Sequence, residues 1–392
     1  MKNDDIANIL HDNFRIVLRG TCMRVVWYTI RNFEDMCATT PIELAKRLVE
    51  RGYNLTIVNS DKPEYHENKV WSHGSVWEER YNPGFRARKI ALSMKKRIMN
   101  RVDEADVYLV DWAILLHISK DLLETNTPVI LIDRSPPAYS GLFGRLQWFA
   151  WKKSWKLLLK GKIPSGCVVS EAHKRFVEEK IGIAPGKISV LNAGVDSKIF
   201  FREDKSFSDS LKFVYHGQLD KNRGVLALPI FIQHLINNNV KAELTLIGRG
   251  NVSSQLRDMS ENYSWLTVHD LVPHSMIPSL LRKQDIGLLP MPERGIWPLA
   301  SPLKRGEYLA SGLLVFGINH TGHSFKFVDS QHYKLVEQED FHDEGLRWAQ
   351  SLTQETLANG AMESRNAAKR YLSWEDTVDV LEKVIHAALQ NQ

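Results

Sequence analysis

The sequence predicts an α/β protein built from two Rossmann-like domains that face each other across a cleft. Short apolar runs of four to six residues, bounded by turn residues, recur between stretches with helical spacing, the pattern of a parallel sheet covered by helices. The first such run, residues 25–30, is followed by Thr40 and Pro41, which suit a helix start, by a helical stretch ending at Gly52, and by a second strand over 54–59. That is a β-α-β unit, the opening of a parallel sheet. The pattern then restarts at residue 212 after a polar stretch, and 392 residues are enough for two cores. The expected division is an extension over 1–22, a first domain over 23–200, a linker over 201–210, a second domain over 211–370 and a last helix within 371–392.

Composition sets outer limits. Charged residues make up 25% and the net charge is +5, as in a soluble globular protein. Cys22, Cys37 and Cys167 have no metal-like spacing and form no disulfide framework, so a reducing, cytoplasmic setting is expected. No run of about 18 uncharged apolar residues is present, which excludes a spanning helix. Residues 1–22 lack the apolar core of a signal peptide.

Within the first domain, the strands over 107–110 and 129–132 end at Asp111 and Asp133, with Arg134 next. Ligands of open α/β sheets sit beyond the carboxyl ends of the strands, so these three residues are candidates for an acceptor-side cleft; a plain turn role is the alternative for Asp111. Residues 86–101 carry seven Lys or Arg and no acid among Ile90, Leu92, Met94, Ile98 and Met99, a basic and partly amphipathic helix. Residues 141–162 interleave Phe143, Trp148, Phe149, Trp151 and Trp155 with Arg145, Lys152, Lys153, Lys156, Lys160 and Lys162. Aromatic anchors beside lysines suit an anionic membrane surface, at about 1 kcal/mol per basic side chain. The alternative is that the tryptophans are core and the lysines a solvated face. Nucleic acid is not expected, since no nucleic-acid module accompanies the patch.

In the second domain, a strand over 212–215 runs into HGQLDKNRG, a basic loop flanked by glycines, where Gly217, Gln218, Lys221 and Arg223 suit backbone and cation contact with phosphate. A strand over 244–247 precedes Gly248, Arg249 and Gly250. A strand over 267–272, a helix over 276–283 and a strand over 286–290 follow, then the loop 292–298 with Glu293. In LASPLKRGEYLASGLLVFGIN, residues 299–319, Ser301 and Pro302 suit the cap and first turn of a helix over 302–311, closed by Gly312 and followed by a buried strand over 313–318. Lys304 then lies one turn before Glu307, a pairing in which a helix start and an ammonium face phosphate while a carboxylate accepts from vicinal hydroxyls.

SPLKRGEYLASG resembles the donor motif of the retaining glycosyltransferases of family 4, whose architecture is GT-B, and Glu307 to Gly312 match its second-glutamate run. The first glutamate of that signature falls at Leu299 here, so sugar identity and activity stay open, with Glu293 a substitute. HGQLDKNRG is similar to the family's phosphate loop with Gln218 in place of its first basic residue, and NAGVDSKIF, residues 192–200, resembles the run that closes its first domain. The resemblance implies transfer from a nucleotide-diphosphate sugar without metal or cofactor. Catalytic roles then fall to Arg223, Lys304 and Glu307. Donor contacts fall to Gly217, Gln218, Lys221, Gly248, Asp270, Leu271, Val272, Ser301, Pro302 and Leu303. It also implies a last helix crossing back to the first domain, while the basic, aromatic faces over 86–101 and 141–162 suit an acceptor on a glycan or lipid carrier at the inner membrane face. A sugar-nucleotide epimerase or inverting transferase on the same fold, and a donor-binding relative without turnover, remain alternatives.

Overall fold

The computed structural model describes residues 22–34, 38–77, 86–138, 141–203 and 207–390. The expected extension therefore lies, but for Cys22, outside the described residues, as do 204–206 of the expected linker.

The chain divides into two compact units. The first takes the described residues of Met1–Val168, Val177–Leu191 and Val378–Gln392; the second takes those of Val169–Phe176 and Asn192–Thr377.

In the first unit the order is β1 (Arg24–Tyr28), α1 (Thr39–Glu50), β2 (Asn54–Asn59), β3 (Ser72–Ser75), α2 (Arg86–Met99), β4 (Val107–Asp111), α3 (Trp112–Leu123), β5 (Val129–Ile132), α4 (Gly141–Leu159), β6 (Ser165–Val168), α5 (Glu171–Ile181) and β7 (Ile188–Val190). The strands form a parallel sheet in the order β3-β2-β1-β4-β5-β6-β7. Strands buried on both faces need apolar residues at consecutive positions, and VYLVD and VILI are buried throughout. Residues 169 and 170 lie between β6 and α5. The Ser170 hydroxyl accepts from the His173 N–H at 3.0 Å, which satisfies a first-turn donor of α5.

The second unit runs β8 (Leu211–His216), α6 (Ala227–Asn237), β9 (Ala242–Ile247), α7 (Ser253–Asn262), β10 (Leu266–His269), α8 (Ile277–Leu281), β11 (Ile286–Leu289), α9 (Leu303–Ala310), β12 (Leu314–Ile318), β13 (Tyr333–Val336), α10 (Phe341–Ser351) and α11 (Gln354–Tyr371). Its parallel sheet has the order β10-β9-β8-β11-β12-β13. Phe213, Phe231, Phe316 and Trp348 form its main core, with Phe231 and Phe316 stacked at 5.3 Å. β10 stops at His269, so Asp270, Leu271 and Val272 lie in a loop rather than in the strand expected over 267–272.

α12 (Trp374–Gln390) closes the chain. Its Val378, Leu381, Ile385 and Ala388 are buried in the first unit's core with Trp27, Leu48, Leu55 and Leu109. Asp379 and Glu382 both pair with Arg51. The Ser373 hydroxyl accepts from the Glu375 N–H at 3.0 Å, where the helix starts.

Candidate functional site

In a doubly wound sheet the ligand crevice lies beyond the carboxyl ends of the strands where the winding reverses. In the second unit that point is between β8 and β11, which are neighbours in the sheet and distant in sequence. The loop after β8 turns at Gly217, at φ +121°, and the loop after β9 at Gly248, at φ +142°. A side chain at Gly248 would place its Cβ 1.9 Å from the Gly217 carbonyl oxygen, so the two loops touch backbone to backbone. Gly224 packs in the same way on the Pro290 carbonyl beyond β11.

Two cations bracket this crossing. Lys304 Nζ sits 3.0 Å from the position of a Cβ at Gly217 and 5.1 Å from the centre of the Tyr215 ring. The Arg223 guanidinium donates to Gln218 Oε1 and lies over the Trp297 ring at 5.1 Å. Gln218, which stands where the related motif has a basic residue, thus orients Arg223. Lys221 is exposed on the adjoining turn.

α9 differs from its expected form. It runs over Leu303–Ala310 with Pro302 at the cap, and no side chain caps it. Ser301 Oγ instead accepts from the Ala193 N–H at 3.1 Å. Pro302, at ψ 122°, is in extended backbone, and Gly312 closes the helix at φ +70° as expected. Leu299 ends a short turn and its carbonyl accepts from the Ser170 hydroxyl at 2.7 Å. Glu293 is exposed, and its charge acts on His320.

Glu307 is buried, with two histidines on its carboxylate. His274 Nε2 is 2.7 Å from Oε1 and His216 Nε2 is 3.0 Å from Oε2. Burial would raise the carboxyl pKa, but the charge and hydrogen bonds of His216 and then His274 outweigh it and hold Glu307 well below the ordinary range. Burial lowers His216 against the opposing pull of Glu307. Neither histidine was singled out from sequence, because His274 is 33 residues from Glu307 and neither lies in its motif. The available signal was a polar residue, His216, following the apolar run Phe213–Tyr215. Asp270 pairs with Arg257 at 2.7 Å, and Leu271 is exposed while Val272 packs against the apolar cluster around Tyr308 and Leu309.

The acceptor-side candidates of the first unit are turned inward. Asp111 accepts from Thr29 Oγ1 at 2.6 Å, Ile30 N–H at 3.3 Å and Trp27 Nε1 at 3.4 Å, so the turn role prevails. Asp133 accepts from Trp151 Nε1 at 2.6 Å, Trp155 Nε1 at 2.9 Å and Ser135 N–H at 3.1 Å. Arg134 donates to Thr40 Oγ1 at 2.9 Å. Trp151 and Trp155 are therefore core, not surface anchors, because each indole N–H has its acceptor inside. The large apolar residues left exposed on α4 are Leu142, Phe143, Leu146 and Phe149 in its first half, between 56% and 72% accessible, and Leu159 at its end. On α2, Arg97 is spent on Asp103, Lys95 on Asp121 and Arg86 on Asn32 and Ser60. Among the described residues no cluster of His, Cys, Asp or Glu has the geometry of a metal site, and no helix is long and apolar enough to cross a membrane.

Residues 38–198 match the model of Glycosyltransferase Family 4. No curated protein matches the chain. Among solved structures it is similar to a glycosyltransferase from Rickettsia africae ESF-5, at 14% identity over 94% of this chain and 99% of that one with a TM-score of 0.71. It is also similar to sucrose-phosphate synthase from Thermosynechococcus elongatus, at 11% identity over 94% and 100% with a TM-score of 0.73. Anabaena HepE, solved with UDP and glucose, matches at 11% identity over 93% and 100% with a TM-score of 0.67. The family model matches residues 38–198, and nearly the whole chain has the two-sheet α/β fold of GT-B glycosyltransferases.

Proposed function

We propose that the protein is a retaining, metal-independent hexosyltransferase that moves a sugar from a nucleotide-diphosphate donor to a lipid-linked or cell-surface glycan. The observation that carries this reading is the meeting of Lys304, Arg223 and the Gly217 and Gly248 backbone at the switch point of the second sheet, with Glu307 on the adjoining helix. A departing diphosphate gathers negative charge while the anomeric carbon becomes positive. Cations and peptide dipoles already aimed at the leaving oxygens stabilise that separation without reorganising. Glu307 is assigned the donor ribose. The UDP and glucose in the HepE structure support a nucleoside diphosphate sugar as donor.

Action at a membrane surface is supported by α4, whose exposed Leu142, Phe143, Leu146 and Phe149 lie among Arg145, Lys152 and Lys153. The basic stripe of α2 supports it less, because three of its cations are already paired.

A second reading, a donor-binding relative without turnover, is favoured by Leu299 at the position of the missing carboxylate. Incubation with UDP, GDP and ADP sugars, with product anomers read by NMR, tests both. Transfer with retained configuration supports the enzyme, and donor binding without hydrolysis or transfer supports the relative. Wild-type transfer by both Arg223→Ala and Glu307→Ala would overturn the assigned site.

A further inference from the structure

We infer that the donor's ribose reaches Glu307 by displacing the imidazole of His274, so that His274 competes with the donor. The inference rests on the donor-site reading above and adds a residue to it. Only 4% of the Glu307 side chain is exposed, and an imidazole nitrogen stands within 3.0 Å of each of its oxygens.

The two imidazoles are held very differently. His216 is buried at the end of β8, its backbone N–H donates to the Tyr308 hydroxyl at 3.3 Å, and its ring stands edge-on to Tyr308 at 5.3 Å. His274 starts a three-residue turn before α8, its side chain is 51% exposed, and its ring rests on Phe200 at 5.7 Å. A hydroxyl arriving from solvent therefore meets Oε1 from the side of His274. It replaces an N–H donor by an O–H donor on Oε1, so that oxygen stays satisfied and only the partner changes.

The exchange is sensitive to pH. A protonated imidazole makes a charge-assisted bond to a carboxylate, about twice as strong as a neutral one, so the competitor is stronger at low pH. The charged and titratable groups around His274 include Glu307 from α9 and His216 from β8, while Phe200 is neutral.

The experiment titrates full-length protein with UDP-glucose, GDP-mannose and ADP-glucose at pH 6 and pH 8, using wild type, His274→Ala, His274→Gln and Glu307→Gln. The diphosphate diesters of these probes do not titrate in that window. We expect wild type to bind its donor about tenfold more weakly at pH 6 than at pH 8, the change a bond stronger by about 1.4 kcal/mol would give. His274→Ala and His274→Gln should bind more tightly than wild type at pH 6, with most of the slope gone. Weaker binding by His274→Ala at both pH values, or an unchanged slope, overturns the inference alone provided Glu307→Gln loses affinity. Wild-type affinity in Glu307→Gln, or no binding of any probe, overturns the donor-site reading together with the inference.

Discussion

The indole N–H of Trp151 donates to Asp133 Oδ2 at 2.6 Å, and the carboxylate that receives it is almost completely buried. Trp155, one helical turn on, donates to the same oxygen. Replacing Asp133 by Ala leaves two buried donors without this acceptor, at about 1–3 kcal/mol each, so unfolding free energy should fall by about 2–6 kcal/mol. Asp133→Asn keeps an acceptor oxygen and should cost less. Urea titration followed by tryptophan fluorescence checks both, and an unchanged midpoint in Asp133→Ala would mean that the indoles find other acceptors.

Gly248→Ala should damage stability and donor binding together. The backbone there is in a region that disfavours a side chain, at a cost of about 1–3 kcal/mol, and the new Cβ would overlap the Gly217 carbonyl. The turns at Gly217 and Gly248 can only yield by moving apart. Thermal unfolding and a UDP-sugar titration on the same sample should both shift.

Lys304→Ala should act on the chemical step. Loss of one preorganised donor to a developing negative charge typically costs about 2.7–4 kcal/mol, so kcat should fall by about 10²–10³ at saturating donor. A change in donor KM alone would move Lys304 from transition-state stabilisation to ground-state binding.

Acid should weaken the second unit through His323. Burial, helped by His320, lowers this imidazole to about 3, while its Nδ1 bonds to the Ile318 carbonyl at 2.7 Å. The unfolded chain takes up a proton near pH 6.5 and the folded one does not. The stability is fully present above about pH 6.5 and is lost as pH falls from there towards 3. Tm measured from pH 8 to 4 should fall less steeply in His323→Gln than in wild type; equal slopes would remove His323 from the cause.

Phe143→Ser together with Phe149→Ser should reduce partition onto phosphatidylserine vesicles by at least about tenfold. Each large apolar side chain contributes about 1.5–3 kcal/mol on burial. Sedimentation with anionic and neutral vesicles measures it, and an unaffected double variant would rule out α4 as the contact.

Much of the fold was legible because parallel strands advertise themselves as short apolar runs, and residues 54–59 and 129–132 have the bounds read from sequence. β3, whose sequence is SHGS, has no such run; it is held by its ladder to β2 and by the bond between His73 and Asn59. Ser301 read as a cap because local pattern favours one, but a tertiary partner, the Ala193 N–H, took its hydroxyl. Asp111 and Asp133 read as cleft residues because strand ends usually face ligands, and pattern cannot report that indole donors far along the chain claim them. The histidines on Glu307 escaped for the same reason.

The last helix has a consequence for how the protein is made. Val378, Leu381, Ile385 and Ala388 belong to a core whose strands begin at Arg24, so the first sheet waits on residues translated after the whole second sheet before its apolar face is covered. A stop codon anywhere before residue 378 would therefore release a chain whose damage appears at the opposite terminus, in the sheet already translated.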